Sequence, residues 1–294
     1  MPDALVLRSR VLQAIRTFFV ERDYIEVETP VRLPAPALEL HIDAEPAGEQ
    51  WLRTSPELHL KRLLAAGHPR IFELGPCFRR GERGRLHRPE FTMLEWYRSD
   101  ADYRDTLVEC RELLVYVARD VLDGSVIMRD GRELELGPEW AVQTVAEAFG
   151  AHAGWNPVSD YDADRFDLDL VNKVEPELSR DVPAILMDYP VEAAALARCR
   201  PGSPPVAERW ELYVAGLELA NAFTELTDPV EQRRRFLECA EARKMAQKPV
   251  YPLDEAFLKA LESGLKPCSG VALGVDRLVM LLGDFGDIDD VRAF

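Results

Sequence analysis

Three clusters of residues have the types and spacing to do chemistry. In the first, Phe91, Met93, Glu95 and Tyr97 alternate with Thr92, Leu94 and Trp96 along residues 90–98. A strand sends successive side chains to opposite faces, so one face carries a carboxylate flanked by aromatics. Burying that carboxylate without a cationic partner is costly. The face is either a half-exposed sheet surface or an aromatic-walled site that receives a cation. The second cluster is Glu211, Glu218, Asn221, Phe223 and Glu225. A two-residue turn at Ala215-Gly216 would set Glu211 and Glu218 on one face, where they repel unless a cation or basic group intervenes. Mg²⁺ takes one or two carboxylates plus phosphate oxygens, so the pair suits a metal–nucleotide site; a solvated acidic strand pair is the alternative. Strict alternation puts Asn221, Phe223 and Glu225 opposite Glu218, so a bulge near Ala220 is expected if all line one pocket. The third cluster runs from Gly270 to Arg277. Its small residues permit close approach of a ligand to the backbone. Arg277 opens a helix against the dipole preference, a place that makes sense opposite an anion such as a triphosphate.

These residues need a scaffold, and the surrounding sequence supplies one. Leu7, Val11, Ile15 and Phe18 recur at helical spacing within 5–22, followed by a short strand at 24–28 that Thr29-Pro30 ends. Residues 56–66 read as a helix, 70–78 and 90–98 as a long hairpin, and 103–122 as an amphipathic helix. The hairpin loop, 79–88, carries five arginines, which is either a solvated charged turn or a device for a small phosphorylated ligand. Helices near 142–150 and 165–177 and a strand near 184–189 follow, then a loop at 201–205. Strands at 208–214 and 217–226 precede a helix capped by Asp228-Pro229, another opened by Asp254, and an apolar helix closing 269–282. The pattern predicts an α+β fold, a mainly antiparallel sheet flanked by helices, in a single domain over 1–294.

Composition narrows the partners. The 294 residues carry a formal charge of −16, which counts against general binding of nucleic-acid backbones. No apolar run reaches the roughly 20 residues of a membrane helix. Met1-Pro2-Asp3-Ala4 lacks the basic start of a signal peptide, so a cytoplasmic protein is expected. Cys77, Cys110, Cys199, Cys239 and Cys268 form no C-x-x-C pair, so reduced thiols are expected and zinc is not.

In this order, the clusters resemble the three signature motifs of class II aminoacyl-tRNA synthetases. The first resembles the helix ending in Phe18-Phe19 with Tyr24–Pro30, the second Phe78-Arg79 through Arg88–Phe91, and the third Gly270–Arg277. The match is closest to the lysyl subgroup. Thr54–Glu57, Phe91–Tyr97, Glu218–Glu225 and Cys268–Arg277 are most similar to its elongation factor P lysine ligase branch. The first catalytic helix starts near residue 5, so no anticodon-binding domain is expected before it.

The resemblance implies ATP-dependent activation of lysine or (R)-β-lysine as an aminoacyl-adenylate, with transfer to a lysine of elongation factor P. A synthetase-like enzyme acting on tRNA or a small molecule, and a catalytically silent regulatory paralogue, are the alternatives. Arg79 is implied at the α-phosphate and Arg277 at the γ-phosphate, with Phe91 stacked on adenine and Gly274 allowing close approach. Further ATP contacts are implied at Gly81, Glu82, Arg88, Glu218 and Leu219, and Mg²⁺ at Glu211 and Glu218. Ser55, Pro56, Glu57, Glu95, Tyr97, Asn221, Phe223, Glu225 and Ala272 are implied for the amino acid. The chain departs from the family at Arg79-Arg80-Gly81-Glu82, where Arg-Asn-Glu is usual, and at Arg88, where Asn is usual. The adenine-contacting acid is therefore Glu82, one position late, or absent. Ala272 replaces a usual glycine and could favour β-lysine. The first-motif helix and Pro30 imply a homodimer.

Overall fold

The computed structural model describes residues 3–122, 124–137 and 139–293; Met1-Pro2, considered above for a leader, lie outside them. A nine-stranded sheet runs through the molecule. In spatial order its strands are Ile25–Glu26, Arg70–Phe78, Glu90–Ser99, Cys268–Gly274, Leu217–Thr224, Val206–Val214, Ala184–Tyr189 and Ala141–Thr144, with Cys199–Arg200 paired to Val206–Val214. The interior ladders are antiparallel and the two end pairs parallel. The expected α+β arrangement is what forms.

One face of the sheet is apolar. Phe72, Leu94, Trp96, Val271, Leu273, Ala222, Trp210 and Leu212 pack there against the helices Ala4–Val20, Tyr103–Leu122 and Val275–Gly283. Each large side chain buried this way contributes about 1.5–3 kcal/mol. The Asp3 carboxylate caps the first helix by accepting from the Leu5 and Val6 amides. Leu7, Val11, Ile15 and Phe18 are all buried in this core, so that stripe is not available to a partner subunit. The opposite face is polar, and its register matters. Glu73, Glu95, Ala272, Asn221 and Glu211 form one cross-strand row, and Ile71, Tyr97, Gly270, Phe223 and Arg209 form the next.

The hairpin turn at Ala215-Gly216 forms as expected, both residues having positive φ. The bulge forms too, but its extra residue is Leu219, since Leu212 pairs with Ala220 and Tyr213 with Glu218. Elsewhere the sequence reading needs correction. The helix expected at 165–177 is Ala163–Asp169, continued by a π turn and a 3-10 turn. The helix near 142–150 begins at Val145, because 141–144 join the sheet as its edge. A hairpin at Val126–Arg129 and Arg132–Glu135, and a small sheet of Arg32–Leu33, Pro46–Ala47 and Gln50–Leu52, went unread. These strands are too short to show a period in sequence. No helix among the described residues is long and apolar enough to cross a membrane.

Candidate active site

The bulge at Leu219 builds the site. It restores Glu218 to the face that holds Glu211 and Asn221, which strict alternation would forbid. Leu219 itself turns into the core, so only its backbone is left toward the polar face.

One end of the face is acidic. Glu95 is buried and accepts from Ser55 Oγ at 2.6 Å and from the Tyr97 hydroxyl at 2.9 Å. Burial, then the charge of Glu57, pushes Glu95 up to about 8. Ser55 Oγ in turn accepts from the Glu57 amide at 3.0 Å, while buried Pro56 sets the start of the helix Glu57–Ala65. Glu225 is buried and its Oε1 has no hydrogen-bond partner; neither has Asn221 Oδ1. Such orphaned acceptors normally await a donor. Ala272 lies between Glu95 and Asn221 in the row, its methyl on the pocket floor.

Sequence reasoning missed several residues here. Lys61, with no exposed side-chain surface, pairs with both Glu57 and Glu225 and lies 5.3 Å from the Phe223 ring centroid. The signal was available: a lysine at helical spacing between buried Leu58 and Leu64, four residues after Glu57. Gly270 is required by close packing, since a Cβ there would lie 2.2 Å from Tyr97 Cε1 and 2.7 Å from Glu225 Oε1. Glu39, on an irregular segment with no motif, faces Arg79, Glu57, Arg209 and Glu82, and burial raises its carboxyl.

The other end is basic. Arg79 stands 5.1 Å from the centroid of the Phe91 ring, and its buried Nε lacks a partner. Arg277 donates to the Glu218 carbonyl at 2.7 Å, lies 3.3 Å from the Glu218 carboxylate and meets His87 Nε2 at 2.6 Å. Burial and Arg277 together hold His87 below its usual range. A Cβ at Gly274 would meet only Arg277 at ordinary contact distance, so the space over that glycine is open to a ligand. Gly81 has φ +78° at the loop tip, and Glu82 is half-buried behind it. Arg88 is committed elsewhere: it donates to the Gly84 and His87 carbonyls and pairs with Asp287 and Asp289, tying the loop to the C-terminal segment.

Glu211 and Glu218 differ although they are neighbours. Burial alone would raise Glu211, but Arg209 and the hydroxyls of Tyr189 and Tyr213, each 2.7 Å away, hold it below the usual range. Desolvation within the cleft, then the charge of Glu211, raises Glu218. A cation reaching Glu218 would relieve that unfavourable charge, and the unpartnered Arg79 Nε awaits an acceptor such as phosphate. The donor set therefore fits Mg·triphosphate, with Glu218 the more open ligand, engaged only through Oε2 by Arg277, and Glu211 offering only what Arg209 leaves of Oε1. Among the described residues no group of three or more His, Cys, Asp or Glu could hold a metal ion.

Comparison with known proteins gives this geometry a lineage. The family model for class II tRNA synthetases (D, K and N) matches residues 1–294. The elongation factor P–(R)-β-lysine ligase of Proteus mirabilis is 39% identical over 305 residues, covering 99% of this chain and 94% of that one. That of Klebsiella pneumoniae is 40% identical with the same coverages. The lysine–tRNA ligase of Moorella thermoacetica is 37% identical over 98% of this chain, which spans only 64% of that protein. The family match runs the whole length of the chain that builds this sheet, and the chain belongs to the class II tRNA synthetase family of the D, K and N group.

Proposed function

We propose that this chain activates lysine or (R)-β-lysine with Mg·ATP and transfers it to a lysine side chain of elongation factor P. One observation carries the reading: Arg79, from the hairpin loop, and Arg277, from the start of the last helix, reach Phe91 and Glu218 on the same sheet face that carries the row Glu95, Ala272, Asn221 and Glu211. Glu57, Glu95 and Glu225 receive the substrate's ammonium groups, which leaves its carboxylate toward Arg79. A carboxylate oxygen then bonds to the α-phosphorus of ATP while the bond to the bridging oxygen breaks and pyrophosphate leaves. Arg79 stabilises charge at the α-phosphate and Arg277 holds the γ-phosphate, so alignment and electrostatics suffice without a protein nucleophile. When bound at Glu218, Mg²⁺ supplies charge neutralisation for the departing pyrophosphate. In the second step the acceptor amine attacks the acyl carbon and AMP leaves.

The acceptor assignment is supported by the 94% coverage of ligases named for elongation factor P and by the −16 charge, which counts against tRNA. A silent paralogue would have no need of Arg79, Glu218 and Arg277 together. We further propose one catalytic domain over 1–294, a cytoplasmic location and a homodimer. The dimer would form around Pro30 and the exposed edge residue Ile25 rather than the buried first-helix stripe. The test incubates the protein with Mg·ATP and either amino acid, first alone to follow pyrophosphate exchange, then with elongation factor P or total tRNA, reading mass. Absence of exchange with either amino acid refutes the activation step, and acylation of tRNA but not the factor refutes the acceptor.

A further inference from the structure

Lys61 is the feature of the pocket that the proposed reaction does not use. Its ammonium is enclosed, with no side-chain surface exposed, and bridges Glu57 from its own helix and Glu225 from the far side of the pocket. Desolvation opposes that charge, but Glu225 and Glu57 outweigh it and keep the amine protonated. On the same sheet face, Glu225 Oε1 and Asn221 Oδ1 remain without partners, and Glu95 is satisfied only by two neutral hydroxyls. An enclosed lysine there is not needed to fill space, because an apolar side chain of that volume costs less to bury.

We propose that Lys61 is a specificity-determining positioning residue: its buried ammonium pins Glu57 and Glu225 and sets the charge of the pocket to match an amino acid with two ammonium groups. With all three carboxylates ionised, as in the substrate-bound pocket, three carboxylates against one internal ammonium leave two negative charges, the number that the two ammonium groups of a lysine-type substrate neutralise. Pinning also turns Glu225 Oε1 toward Tyr97 across Gly270, where a hypothetical Cβ meets both. Without Lys61, the three carboxylates would face one another with one charge too many, and their mutual repulsion would spread them or hold them protonated. Either outcome weakens binding of the amino acid and leaves the nucleotide end alone. The rise of Glu95 to about 8 in the empty pocket agrees with a charge count that is completed only by the substrate.

The inference rests on the proposed amino-acid activation, so the wild-type protein is measured first: no lysine-dependent or β-lysine-dependent pyrophosphate exchange refutes that activation itself, before any variant is read. Given exchange, Lys61→Met is expected to raise KM for the amino acid about tenfold or more, as loss of a buried charge partner does. KM for ATP should change less than twofold, and Lys61→Arg should recover most of the loss. Lys61→Gln, which keeps hydrogen bonding without charge, should behave like Lys61→Met. Unchanged amino-acid KM in either neutral variant overturns the proposal, as does an equal rise in both KM values. If both neutral variants fail to fold, Lys61 serves stability rather than selection, and the proposal is overturned as well.

Discussion

Two buried ion-pair groups sit on the same face of the sheet and are built differently. Arg53 and Glu73 form a closed unit. Glu73 accepts from the Thr29 amide at 3.1 Å and hydroxyl at 2.8 Å, and Arg53 donates to the Pro76 carbonyl at 2.8 Å and the Thr29 hydroxyl at 2.9 Å. Neither residue has a buried polar atom left over. Gly75 is shaped to this pair, since a Cβ there would come within 2.6 Å of Arg53 Nη2. Glu57, Lys61 and Glu225 form an open unit, with Glu225 Oε1 unpartnered, and Asn221 Oδ1 is likewise bare further along the same strand face. A closed unit is finished when the chain has folded. An open one stores unmet acceptors that a ligand completes. The lesson is that burial and charge alone do not separate these two units; the satisfaction of their hydrogen bonds does.

The comparison breaks first under Arg53→Met. Removing one partner leaves Glu73 charged and enclosed, and stability should fall by about 3–5 kcal/mol in urea unfolding. A loss below about 1 kcal/mol would mean that the unit is not closed. Next comes Glu225→Gln in the open unit, where folding should change little while amino-acid-dependent exchange drops by about 10²-fold or more. If the variant instead unfolds and its residual exchange is normal, the two units are alike.

A smaller effect concerns Glu95, which the closed pair does not share. Its carboxyl in the folded protein stands at about 8, above the ordinary carboxylate value, because burial and Glu57 penalise the charge. Between about pH 4.5 and 8 the folded state therefore binds more protons at this group than the unfolded state. This contribution to stability is present at low pH and is lost as pH rises through 8. Thermal melting of the ligand-free protein across this window should show the decline, and Glu95→Gln should flatten that part of it. An identical slope in the variant would assign the decline to other groups. Smallest is Ala272→Gly. Removing one methyl from the pocket floor should shift preference toward α-lysine over β-lysine by at most about 1–3 kcal/mol in competing exchange assays. No shift removes Ala272 from the choice of amino acid.

Particular residues show how far the sequence was legible. Alternation along 90–98 placed Glu95 and Tyr97 together, and they share a hydrogen bond. That Glu211 and Glu218 share a face across a turn at Ala215-Gly216, and that a bulge is needed to bring Asn221 to it, followed from strand geometry alone. Asp228 and Asp254 both cap helices as their types suggest. Arg88 reads as a nucleotide contact in sequence, yet Asp287 and Asp289, some 200 positions away, engage it. Glu211 likewise reads as half of a symmetric metal pair, until Arg209, Tyr189 and Tyr213 claim it.

Sequence by itself determined the local periods, the caps, the turns and the order of the three motifs, because backbone sterics and side-chain alternation act over a few residues. Only the tertiary structure decided the register that lines up Glu95, Ala272, Asn221 and Glu211, and the insertion of Lys61 between Glu57 and Glu225. Those arrangements join residues far apart in the chain. Their charges take their meaning from desolvation and from partners that no local pattern encodes.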